Sequence, residues 1–67
     1  MIIIFSKKFY NLNSIKNTIK AYKDLAVFNL KNNRFQIKVE AKKIDKDVES
    51  IFKDEFCNYA LAEMKKF

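Results

Sequence analysis

The 67-residue chain contains no glycine, no proline and no histidine, and only one cysteine. Without glycine there is no phosphate-cradling loop of the Walker or dinucleotide type. Without glycine and proline there is no linker or low-complexity segment either. Every turn therefore falls to Asn, Asp, Ser or Lys. The missing histidine removes the commonest general base and metal ligand. Cys57 alone cannot close an internal disulfide, and with no His or second Cys it cannot build a zinc site. No nucleophile elbow is present, so no cofactor is expected and the chain reads as a non-enzyme. The apolar run Met1 to Phe5 is too short to span a membrane. It lacks the basic leader and long apolar stretch of a signal peptide, so a reducing cytoplasm is the expected compartment.

What is present suits a single small domain over residues 1–67. Hydrophobic residues make up 49% of the chain and seven of them are Phe, enough for a core built on large rings. The net charge is +6. Such an excess attracts nucleic acid, anionic membrane or acidic peptide, although solubility alone also explains it.

Periodicity gives five elements. Ile2, Ile3 and Ile4 are β-branched and favour a strand, with both faces at least partly covered. Asn11 is placed as the cap of a helix in which Leu12, Ile15, Ile19 and Tyr22 recur at helical spacing, ending near Asp24. Ala26 to Glu40 reads as a β-hairpin turning at Asn32-Asn33, because Asn tolerates positive φ. That register sets Leu30 opposite Phe35 and Phe28 opposite Ile37. A last helix starts at Asp45 or Asp47, with Asp45, Asp47 and Glu49 complementing its dipole. It buries Val48, Ile51, Phe52, Phe56, Tyr59 and Ala60. The predicted fold is α+β, in the order β-α-β-β-α. Both helices lie on one face of a three-stranded antiparallel sheet whose third strand is central, a ferredoxin-like fold lacking its last strand. The predicted core includes Ile4, Leu12, Ile15, Ile19, Phe28, Phe35, Ile37, Val39, Phe52, Phe56 and Tyr59.

Two surfaces carry functional candidates. The outer sheet face is expected to present Arg34, Lys38 and Lys42, a basic patch for nucleic acid. With Phe35 on the core side, that patch has no platform for stacking bases. The free edge of the second strand, at Phe28, Asn29, Leu30 and Lys31, can accept an extended peptide, and Lys31 and Arg34 would favour an acidic one. Cys57 reads as a buried, inert thiol on the last helix.

Two stretches resemble the His-Xaa-Ser system protein HxsD family. In Phe9 to Tyr22, FYNLNSIKNTIKAY, the positions Tyr10, Asn11, Leu12, Ile15 and Lys16 match in type. In Glu55 to Glu63, EFCNYALAE, the residues Tyr59, Leu61 and Glu63 match the family's C-terminal signature, while Cys57 and Ala62 depart from it. The resemblance implies an accessory role beside radical-SAM enzymes that modify ribosomally made peptides. It also places Tyr59 and Glu63 on a partner surface. The expected function is a non-enzymatic adaptor for a peptide or protein partner, without membrane association. The alternatives are a nucleic-acid-binding module and a self-associating structural protein. Monomer and homodimer both remain open, with strand 1 or Met64 and Phe67 as a dimer seam.

Overall fold

A computed structural model describes residues 1–66 of the chain. Five main elements follow one another: β1 (Ile2–Ser6), α1 (Leu12–Ala21), β2 (Val27–Asn32), β3 (Gln36–Lys42) and α2 (Phe52–Glu63), with a short 3-10 turn at Met64–Lys66. The strands form one antiparallel sheet in the order β1-β3-β2. The predicted β-α-β-β-α fold with β3 in the middle is the observed one. No helix among the described residues is long and apolar enough to cross a membrane.

Alternation decides which strand residues reach the helices. Ile3, Phe5, Ile37, Val39 and Ala41 point to the helix side and are buried with Ile15, Phe52, Phe56 and Ala60. Ile2 and Ile4 point the other way, and Ile4 is 56% exposed. The expectation that Ile4 belongs to the core is thus corrected: three successive Ile cannot all face the helices, and among the described residues nothing covers the other face of the sheet. The core centres on Phe56. Its ring lies 6.1 Å from Phe5, 5.6 Å from Tyr22, 5.6 Å from Phe28 and 5.8 Å from Phe52.

The first helix starts as predicted. Asn11 Oδ1 accepts the Ser14 amide at 2.7 Å, satisfying one of the free donors of the first turn. Ser14 and Thr18 are buried between the helices, and their hydroxyls donate to the carbonyls of Asn11 and Ser14 at 2.8 Å. These short side chains keep their polar groups satisfied within α1 itself.

The hairpin turns later than expected. Asn33 N–H donates to the Gln36 carbonyl, and Asn33 Oδ1 accepts the amides of Phe35 and Gln36 at 2.9 Å. The tip is therefore Arg34-Phe35, not Asn32-Asn33. Asn33 acts through its side chain, and neither Asn adopts the positive φ expected of it. Leu30 pairs with Val39 and Phe28 with Ala41. The partners move four places along β3, an even number, so Ile37 and Val39 keep their faces. Phe35 leaves the strand altogether and is 75% exposed, not buried. Tyr59 also departs from the predicted core, since it is 38% exposed on α2.

The last helix starts at Phe52 rather than Asp45. Residues 45–51 form successive tight turns, with Val48 N–H bonded to Asp45 O and Ile51 N–H to Val48 O. Asp45 Oδ1 takes the Asp47 amide at 2.9 Å, a local bond that competes with helix formation. The acids in the first turn of α2 are Asp54 and Glu55. The sharp exit from β3 uses Lys43 at φ 52, a left-handed conformation that a chain without glycine must force on a side chain with a Cβ.

Three substitutions test this architecture by thermal denaturation. Phe56→Ala is expected to cost about 3–5 kcal/mol, which unfolds much of so small a domain. Phe35→Ala is expected to change stability by less than about 0.5 kcal/mol. Equal losses would contradict the observed register. Lys43→Gly is expected to stabilise by roughly 0.5–1 kcal/mol, the strain relieved less the added unfolded-state entropy.

Candidate functional site

Both outer strands are free edges, and their backbone polarity follows from the ladder. Met1 N donates to Ala41 O at 3.0 Å and Ala41 N to Met1 O at 2.8 Å, and Lys7 N donates to Phe35 O at 3.1 Å. Bonded and non-bonded pairs alternate in an antiparallel ladder. The N–H and C=O groups of Ile2, Ile4 and Ser6 are thus directed away from β3. The same reasoning from the Asn33–Gln36 pair leaves those of Phe28, Leu30 and Asn32 directed outward on β2.

The two edges differ in their protection. Proteins guard edges with charged residues, Lys above all, and with Pro or bulges. On β2, Lys31 and the polar Asn29 and Asn32 stand at the edge, while Phe28 and Leu30 turn their side chains toward the helices. From Met1 to Phe5 there is no charged side chain, no Pro and no bulge, the Met1 ammonium being turned toward β3 to Ala41 O, and Ile2 and Ile4 flank the open backbone groups half-exposed. The unguarded edge is β1, a feature the three-Ile run signalled but that its reading as a doubly covered strand concealed.

The predicted basic patch is rearranged. Lys38 and Lys42 lie on the open sheet face, but Lys42 Nζ is 3.6 Å from Glu40 Oε1. Arg34 sits at the hairpin tip rather than on the face, because the later turn removes it from the strand. Lys31 and Lys38 are direct cross-strand partners on the open face, around a depression of ≈ 20 Å³ that Asn29 and Glu40 complete. Charge is unequally spread along the chain. Residues 1–39 hold eight cations against Asp24 alone, net +7, and residues 40–67 six cations against seven acids, net −1, giving the +6 of the whole.

The two stretches that resemble HxsD meet at Tyr22, whose hydroxyl donates to the Glu55 carbonyl at 3.4 Å and whose ring lies 5.6 Å from that of Phe56. Met64 Sδ accepts the Asn11 amide at 3.2 Å and the Ser14 hydroxyl at 3.1 Å, tying the end of α2 to the start of α1. Tyr59 packs edge-on against Tyr22, ring centres 5.6 Å apart. Glu63 is only 6% exposed and its carboxylate lies 2.8 Å from Lys66 Nζ. That hydrogen bond raises the Lys66 pKa. The Glu63 carboxylate is thus engaged inside the fold and is not freely presented to a partner. Phe67, part of the predicted dimer seam, lies outside the described residues.

A cleft of ≈ 210 Å³ opens between Tyr22, Leu25, Val48, Ile51, Phe52 and Glu55. Its volume is below that of ordinary small-molecule pockets, and it presents no convergent polar set. Cys57 is half-buried, and burial pushes its thiol pKa up, with Lys53 opposing and Asp54 reinforcing the rise. Among the described residues no group of three His, Cys, Asp or Glu side chains is placed to hold a metal ion. No protein-family model matches the chain, and no curated protein or solved structure is similar enough to count as a relative.

The thiol gives a pH-dependent prediction. Folding favours its neutral form, so its contribution to stability is complete below the unfolded thiol's pKa and is lost as pH rises through the folded value. Iodoacetamide should therefore modify Cys57 in the native protein more slowly than in the urea-unfolded chain at pH 8. The native rate should climb only at more alkaline pH. Equal rates at pH 8 would show the thiol to be unprotected.

Proposed function

We propose that the protein is a non-enzymatic adaptor that binds a peptide or protein partner by accepting an extended segment as an added strand along β1. One observation carries this reading: an edge strand without a charged side chain or Pro to guard it, with Ile2 and Ile4 half-exposed beside outward-facing amides and carbonyls. In strand addition, main-chain hydrogen bonds supply affinity and alternate side chains supply selectivity. Ile2 and Ile4 on the open face select apolar side chains at every second position of the guest. The edge of β2, favoured by sequence reasoning alone, is the weaker host because Lys31 guards it.

The resemblance to HxsD supports a partner class, a radical-SAM enzyme of a peptide-modifying system or its precursor peptide. The convergence of the two family-like stretches at Tyr22, Glu55, Phe56 and Tyr59 is compatible with a common scaffold role for them. Leu61, 55% exposed, and Tyr59, 38% exposed, are the matched residues of the C-terminal stretch that such a partner can reach.

Affinity capture from the native host tests the reading with two variants. Ile4→Pro removes an N–H that points away from β3, so it blocks strand addition without deleting a ladder bond. The captured partner is expected to disappear with Ile4→Pro and to persist with Phe35→Ala, with circular dichroism confirming that both variants fold. A partner retained by Ile4→Pro overturns the β1 site. The absence of any partner with the unaltered chain overturns the adaptor reading.

A further inference from the structure

The hairpin end of the sheet carries a second surface, which adjoins the β1 edge where Lys38 pairs with Ile4. Phe35 at the tip is 75% exposed and Phe9 is 70% exposed. The Ser6–Phe9 turn is closed by the bond from Phe9 N–H to Ser6 O, and the bond from Lys7 N–H to Phe35 O joins that turn to the hairpin tip. Two Phe rings thus project from adjoining turns in a domain that needs every large apolar group for its core. Around them stand Lys7, Lys8 and Arg34, all exposed. No acidic residue occurs between Met1 and Lys23 or between Leu25 and Val39.

Directly below the tip, Lys31 and Lys38 face each other across the β2–β3 ladder. Like charges directly opposite in a sheet are destabilising, and no carboxylate within salt-bridge distance relieves either of them among the described residues. An anion placed between them would convert that repulsion into attraction. Lys38 lies three residues from Phe35, roughly 10 Å along an extended chain. A cation pair is thus followed at short range by an aromatic ring and an arginine.

We infer that the hairpin end binds single-stranded nucleic acid, with Lys31 and Lys38 straddling a phosphate, Phe35 and Phe9 stacking on unpaired bases, and Arg34, Lys7 and Lys8 meeting the neighbouring phosphates. Backbone-tracking cations combined with sequence-tolerant ring stacking are the recurring elements of such sites. A duplex keeps its base faces stacked internally and offers the rings nothing. A lipid surface suits the ring positions less well, because it would draw all the cations to one depth around the rings. Lys31 and Lys38 instead lie lower, on the flat face of the sheet. The expected stacking platform on a basic surface is therefore at the turn, made by the same Phe35 that alternation assigns to the core.

Fluorescence anisotropy with a labelled twelve-residue oligothymidine and a labelled duplex of equal length tests this. Binding to the single strand is expected at low salt, exceeding binding to the duplex, and weakening steeply as salt rises. Phe35→Ala should weaken it about 5- to 150-fold, the loss of one base stack, and Phe35→Tyr should restore most of it. Lys31→Gln with Lys38→Gln should flatten the log–log salt dependence by roughly 0.7, the slope assigned to one phosphate contact on a single strand. Three results would each overturn the inference: no binding at low salt, equal affinity for the duplex, or an undiminished Phe35→Ala. Phe35-dependent sedimentation with phosphatidylserine vesicles, without oligonucleotide binding, would assign the surface to membranes instead. Ile2→Pro, at the end of β1 away from the hairpin, should leave oligonucleotide affinity unchanged, which separates this surface from the β1 edge.

Discussion

One ring, Phe56, touches aromatic side chains from four parts of the chain: Phe5 of β1, Tyr22 at the end of α1, Phe28 of β2 and Phe52 of α2 itself. A chain of this size has little surface to bury, and close-packed rings give it the most area per residue. The cluster orders the remaining elements. It draws α2 onto the sheet, brings the end of α1 against α2, and leaves the opposite face of the sheet without a layer. The exposure of Ile2, Ile4, Lys31 and Lys38 on that face follows from a core that can be built on one side only.

A one-sided core also explains why the proposed binding surfaces lie at the margins. With three strands the sheet has two edges, and both are uncovered. The β2 edge is protected by charge and the β1 edge is not. The hairpin tip and the neighbouring Ser6–Phe9 turn lie beyond the reach of both helices, so their rings project outward. These two features adjoin at the Ile4–Lys38 pair but offer different chemistry, backbone hydrogen bonds with aliphatic side chains in one case, cations with aromatic faces in the other. The Glu63–Lys66 pair and the Met64 sulfur, by contrast, serve the joint between the helices.

Much of the fold was legible in the residues. The stiff Ile run, the Asn11 cap, the alternation from Gln36 to Ala41 and the Phe52–Phe56 spacing each named an element, and their order required β3 between β1 and β2. The candidate sites were less legible, for reasons that can be named. Asn33 caps the hairpin with its side-chain oxygen rather than by adopting positive φ, which moves the turn onward and carries Arg34 and Phe35 out of the strand. Asp45 bonds to the Asp47 amide and delays the last helix to Phe52. Periodicity could not distinguish these local choices, because the hydrophobic pattern is the same for any even shift of register.

The sequence by itself determined the element order, the one-faced sheet and the chemistry that is excluded, since these depend on residue types and their period. Only the tertiary structure decided which end of the hairpin holds Phe35, which edge is unguarded and which lysines stand together. Those outcomes depend on register and on what lies across the sheet. They are set by contacts between residues distant in the chain: Lys7 with Phe35, Lys31 with Lys38, and Met64 with Asn11.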